Sequence, residues 1–131
     1  MLRLAYSIWS ILEKVVAINF TMWDLKKQEQ YYHNLILGFV YGLKDVYEIK
    51  SNREYGTGRV DLLLKSKEGK LPNYIFEFKV SKKREDLEMD CKKALAQIEE
   101  NKYEIELDNP VKIGMSFFGK EIEILVNLKG Y

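Results

Sequence analysis

A chain of 131 residues with 47% hydrophobic and 31% charged positions has the size and balance of one globular domain with a single core. Its formal net charge of +1 excludes a strongly basic coat, so any nucleic-acid binding has to come from a local patch. One cysteine, Cys91, excludes an internal disulfide framework and a cysteine-built zinc cage, and reads as a small core residue of a helix rather than a nucleophile.

The first twenty residues, "MLRLAYSIWSILEKVVAINF", place Leu4, Ile8, Ile11, Leu12 and Val15 at helical spacing. Glu13 and Lys14 interrupt the apolar run, no small-residue cleavage site follows, and the run is too short and too charged to cross a bilayer. The expectation is an amphipathic helix over residues 1–22 beside a domain of residues 23–131, with no membrane association and a cytoplasmic address.

Next, "MWDLKKQEQYYHNLILGFVYGL" carries Tyr32, Leu35, Ile36, Phe39, Val40 and Leu43 on one helical stripe, loosened at its end by Gly42. "VYEIKSN" alternates as a strand and "REYGTG" supplies turn residues. "RVDLLLK" follows as a second strand, "SKEGKLP" as a turn, and "NYIFEFKV" as a third strand. Ser81 stands where an N-cap would open "KKREDLEMDCKKALAQIEENKYEIEL", whose Leu87, Cys91, Ala94, Leu95 and Ile98 form a second stripe. "VKIGMSFF" and "EIEILVNL" read as two strands joined at Gly119 and Lys120. This order predicts an α/β domain. Its mixed β-sheet is a three-stranded antiparallel meander plus a strand returning by a right-handed crossover, flanked by helices.

"GMSFFGKE" matches a phosphate-loop spacing up to its lysine. Such a loop needs Ser or Thr next, for magnesium, and a helix beyond it. Glu121 follows instead, in a strand-turn-strand setting, so a nucleotide site is rejected.

The third strand holds the chemistry. Ile75, Phe76, Phe78 and Val80 call for a dry interior, yet Glu77 and Lys79 sit among them, both on one face. A hairpin centred on Gly69 sets Asp61 directly opposite Glu77, with β-carbons roughly 5 Å apart. Two facing carboxylates repel, and a divalent cation between them turns that repulsion into coordination. Magnesium, which takes oxygen ligands and keeps several waters, needs only two protein carboxylates when a phosphate completes its shell. Lys79 can then orient a water and stabilise charge on phosphorus oxygens. The structural alternative is a surface Glu77–Lys79 pair with Asp61 merely solvated.

Asp61 followed by Glu77-Phe78-Lys79 on the next strand resembles the signature of the PD-(D/E)XK nuclease superfamily. "EQYYHNLILGFVYGL", "SNREYGTGRVDLLL", "IFEFKV", "ALAQIEENKY" and "IGMSFFGKEIEI" resemble, in order from Glu29 to Ile124, a prokaryotic branch often found behind an ATPase-like domain. The resemblance implies a restriction-endonuclease-like core and a Mg²⁺- or Mn²⁺-dependent nuclease, with DNA the expected substrate. By the same resemblance Asp61, Glu77 and the backbone carbonyl of Phe78 ligate the metal, and Lys79 serves the hydrolytic water. Glu29 matches an acidic residue that many relatives carry near the metal; a solvated helix position is the alternative.

His33, one turn beyond Glu29, reads as a structural histidine rather than a ligand. Asn52, Arg53 and Glu54 resemble the family's loop before the aspartate strand, and Glu54 either replaces or supplements Glu29 or belongs to a purely structural turn at Gly56 and Gly58. Arg59 shares a face with Asp61 and either meets a phosphate or neutralises the carboxylates. Gln97, Lys102 and Tyr103 resemble polar positions of the family's second core helix where some relatives touch DNA, although spacing alone favours a core place for Tyr103. Lys82, with Lys83 and Arg84, could draw a phosphate backbone to the start of the second helix. The resemblance implies an ATPase-like partner domain that these residues do not include, so the expectation is either a fragment or a free-standing domain, and a pairing of two copies is open. The rival function is a catalytically weak or inactive nuclease-fold domain that binds nucleic acid or protein as a regulatory module.

Overall fold

A computed structural model describes residues 25–55, 58–100, 107–119 and 121–127. The helix expected over residues 1–22 lies outside them. The first described helix, α1 (Leu25–Val40), buries Tyr32, Ile36 and Val40 completely, one every fourth residue along its inner face. It gives way to a short 3₁₀ turn, Tyr41–Leu43, at the glycine expected to loosen it.

Five strands follow: β1 (Tyr47–Tyr55), β2 (Gly58–Ser66), β3 (Tyr74–Val80), β4 (Val111–Phe118) and β5 (Glu121–Asn127). They stand in the order β1-β2-β3-β4-β5, antiparallel at every junction except the parallel β3–β4 pair. Helix α2 (Leu87–Glu100) lies in the crossover between those parallel strands. The architecture is the expected α/β mixed sheet, a meander plus a crossover strand, with β5 added at the edge.

The two faces of the sheet explain the continuous apolar runs. Leu62, Leu64, Phe76, Phe78, Ile113, Met115 and Phe117 pack with Tyr32, Ile36 and Val40 of α1. Leu63 and Ile75 face the other way and pack with Ile98 of α2 and Leu107. Three consecutive leucines in β2 are therefore all buried, because the sheet is covered on both sides. Tyr32 stacks on Phe117 at 4.2 Å between ring centroids, and its hydroxyl donates to the carbonyl of Gly119, tying α1 to the β4–β5 turn.

Helix α2 sits unusually close to β4. A β-carbon on Gly114 would stand 2.8 Å from both the Cys91 carbonyl oxygen and the Leu95 nitrogen, so only glycine fits there. Cys91 donates its thiol hydrogen to the Gly114 carbonyl at 3.1 Å, and burial pushes that thiol up to about 12. It is a packed core group, as its place on the helical stripe implies.

Two local expectations are corrected. "REYGTG" is not all turn: β1 runs on through Arg53, Glu54 and Tyr55, and Tyr55 pairs with Gly58 where β2 begins. The ladder claims those residues because the hairpin link is only two residues long. Nor does Ser81 cap α2. Its N–H extends the β3–β4 ladder to the Phe117 carbonyl and its hydroxyl donates to Asp90 at 2.7 Å. A 3₁₀ turn at Arg84–Asp86 intervenes before the helix proper.

Candidate active site at the β2–β3 hairpin

The β2–β3 register pairs Leu64 with Tyr74, Leu63 with Ile75 and Leu62 with Phe76. The paired stretch ends there; Asp61 and Glu77 are the next residues on their strands, and their carboxyls lie within hydrogen-bonding reach, while Gly69 at the hairpin's centre has a φ of 72° that suits the turn. Alternation then puts Asp61, Leu63, Ile75, Glu77 and Lys79 on the face covered by α2. Glu77 also pairs with Gly114 in the parallel ladder, beside the point where α2 comes closest.

The two acids are held differently. Asp61 is half-buried, and its Oδ2 accepts the backbone N–H of Phe78 at 2.8 Å. Glu77 is only 3% exposed, and with both carboxyls ionised its Oε2 has no hydrogen-bond donor. Burial, then a hydrogen bond to the Asp61 carboxyl and the charge of Asp61, push the Glu77 pKa up to about 10, against a smaller opposing pull from Lys79. Glu77 therefore holds a proton when no cation is near, because a carboxyl this buried beside another acid is costly to ionise.

Glu29 belongs to the same electrostatic neighbourhood. Although the residue is solvent-exposed, crowding around its carboxyl raises its pKa, the Asp61 charge adds to the rise, and Lys79 offsets it. Asp61, Glu77, Glu29 and Lys79 thus feel one another although they come from three elements. Lys79 is half-buried and donates from Nζ to Gln97 Oε1 on α2 at 2.8 Å.

The remaining expected residues fall elsewhere. His33 is buried in the α1 layer, edge-on to Phe78 with ring centroids 5.6 Å apart, on the face opposite Glu77. Lys82 is exposed ahead of α2, and no contact among the described residues joins it to the acidic cluster. The side chains of Arg59 and Glu54, which pair across the β1–β2 ladder, and the whole of Lys102 and Tyr103 lie outside the described residues. The Lys79–Gln97 bond is the contact that residue spacing could not reveal, since 18 positions separate the partners.

Among the described residues no three His, Cys, Asp or Glu side chains gather into a ready-made metal cage. The donor set nevertheless suits a hard cation that keeps much of its water. Two oxygen acids adjoin, one of them almost fully buried. No described helix is long and apolar enough to cross a membrane.

A family model described as the PD-(D/E)XK nuclease superfamily matches residues 27–126. No curated protein and no solved structure gives a significant match.

Proposed function

Because the chain belongs to the PD-(D/E)XK nuclease superfamily, whose members are generally dependent on divalent metals, we propose that it is a Mg²⁺- or Mn²⁺-dependent nuclease hydrolysing phosphodiester bonds of DNA. The observation that carries this reading is the buried Glu77 carboxyl, set against the Asp61 carboxyl and within the field of Lys79. A fold selected for stability alone gains nothing from burying one acid against another.

Asp61, Glu77 and the Phe78 backbone carbonyl are the protein ligands in this reading, with Glu29 in support. When bound, the cation supplies a lowered pKa for an attacking water and polarises the phosphoryl oxygen. The Phe78 N–H fixes the Asp61 carboxylate before substrate arrives. Lys79 brings an ammonium to the acidic cluster, where it orients the nucleophilic water and opposes negative charge building on the phosphoryl oxygens. Arg59, Lys82 and Lys102 contribute positive charge for the phosphate backbone, whose pull on lysine and arginine is independent of base sequence.

The test is degradation of DNA by the purified protein with added Mg²⁺ or Mn²⁺, arrested by chelation. Lys79→Ala is expected to lower turnover by about a hundredfold or more while the fold persists. Robust cleavage by that variant overturns the role of Lys79. Absence of cation binding in the wild type, or binding unaltered in Asp61→Asn, assigns the domain instead to binding or regulation.

A further inference from the structure

We propose that Gln97 is a positioning residue for Lys79, an inference that rests on the nuclease reading and goes beyond it. The resemblance places Gln97 among positions that touch nucleic acid. In the structure its side-chain oxygen is instead occupied by the Lys79 ammonium at 2.8 Å.

The reason for such a tether lies in the charges around it. Lys79 is close enough to Glu77 and Glu29 to oppose the rise in both their pKa values. Among the described residues it nevertheless forms no ion pair with either; its one hydrogen bond goes to the neutral amide oxygen. An ammonium has three rotatable donors on a flexible four-carbon stem, and an adjacent carboxylate would capture it. Such capture would occupy the oxygens that the metal needs and withdraw the ammonium from the attacking water. A neutral acceptor restrains the head group without neutralising it. Two of its three N–H bonds are left for water and phosphate.

The acceptor is itself built into a rigid frame. Gln97 lies on α2 between Leu95, which packs on the Leu63–Ile75 cluster, and Ile98, which is fully buried in it. The close approach of α2 to Gly114 fixes the helix against the strand next to β3. The amide is therefore presented from a helix seated closely against the sheet. Displacing a reacting group by about 1 Å can cost roughly a hundredfold in rate, so holding this ammonium in place matters to turnover.

Gln97→Met keeps the length of the side chain and removes the acceptor, whereas Gln97→Glu keeps an acceptor oxygen. With Mg²⁺, both Gln97→Met, which loses the acceptor, and Gln97→Glu, whose carboxylate neutralises the ammonium, are expected to lower kcat about ten- to a hundredfold with KM within about twofold. DNA binding measured with Ca²⁺ is expected to be the same in wild type and Gln97→Met. A wild-type kcat in Gln97→Met overturns the proposal. So does a loss of DNA binding that matches the loss of turnover, which would make Gln97 a substrate contact.

A second measurement needs neither metal nor substrate. The ¹H–¹⁵N signal of the Lys79 ammonium, identified by its disappearance in Lys79→Arg, is expected to report a restrained group in wild type and a mobile one in Gln97→Met. Equal mobility in the two proteins overturns the proposal whatever the activity. A restrained ammonium released by Gln97→Met, in a protein that cleaves nothing, supports the tether while overturning the nuclease reading.

Discussion

The Asp61 carboxylate accepts the backbone N–H of Phe78 at 2.8 Å, so the acid of β2 is anchored to the main chain between Glu77 and Lys79. The substitutions at this position separate by what they leave for that N–H. Asp61→Asn keeps an acceptor, whereas Asp61→Ala leaves a partly buried donor without one. The alanine variant is expected to be less stable than the asparagine variant by about 1–3 kcal/mol in urea denaturation. Equal stabilities would show that the bond contributes nothing.

Glu77 is expected to contribute to the pH dependence of the metal-free protein. Its pKa rises from 4.5 in the open chain to about 10 in the fold, so between those values the folded state holds a proton that the unfolded state has lost. Stability due to this group is therefore fully present below about pH 4.5 and declines as pH climbs toward 10, by at most about 1.4 kcal/mol per pH unit. Glu77→Gln, which cannot ionise, is expected to flatten that decline and to exceed the wild type in stability at pH 8 in a chelating buffer. Parallel pH profiles for the two proteins would contradict the shift.

Divalent cation is expected to reverse the same penalty. At a free Mn²⁺ concentration a hundredfold above Kd, linkage predicts a gain of about 2.7 kcal/mol, visible as a raised Tm that chelation cancels. Binding displaces the proton held by Glu77, so apparent affinity is expected to increase as pH rises. Calorimetry at pH 6, 7 and 8 checks the direction, and Asp61→Asn and Glu77→Gln are each expected to weaken binding at least about tenfold, the effect associated with disturbing a ligand set.

Gly114→Ala tests the seat of α2. The added methyl would meet two backbone atoms of the helix at 2.8 Å, neither of which can turn aside like a side-chain tip. The expected loss is about 1–3 kcal/mol by overpacking, with α2 pushed off the sheet. Gly69→Ala makes a useful contrast. It has open space around it but a left-handed φ of 72°, so its cost is expected from backbone strain alone, about 1–2 kcal/mol.

Much of this protein is legible in one dimension because local patterns carry it. The stripe Tyr32, Ile36, Val40 and the stripe Leu87, Cys91, Ala94, Ile98 could satisfy their burial only as helices with one covered face. The symmetric spacing of Asp61 and Glu77 about Gly69 needed only a two-strand hairpin to bring the acids together, and the β2–β3 register keeps that spacing. Residue identities alone also showed that Glu77 and Lys79 share a face, since strand alternation allows nothing else.

What needed the third dimension was every contact between groups far apart in the chain. Ser81 reads as a helix cap, but a ladder bond to Phe117 and a hydroxyl bond to Asp90 were already drawing on it. Gln97 resembles a residue facing substrate, yet the packing of α2 on Gly114 and on the Leu63–Ile75 cluster brings its oxygen to Lys79. Chemical type and periodicity are local properties and survive in the order of residues. Which neutral oxygen restrains a given ammonium depends on how tightly a helix seats on a sheet, and only the packed chain decides that.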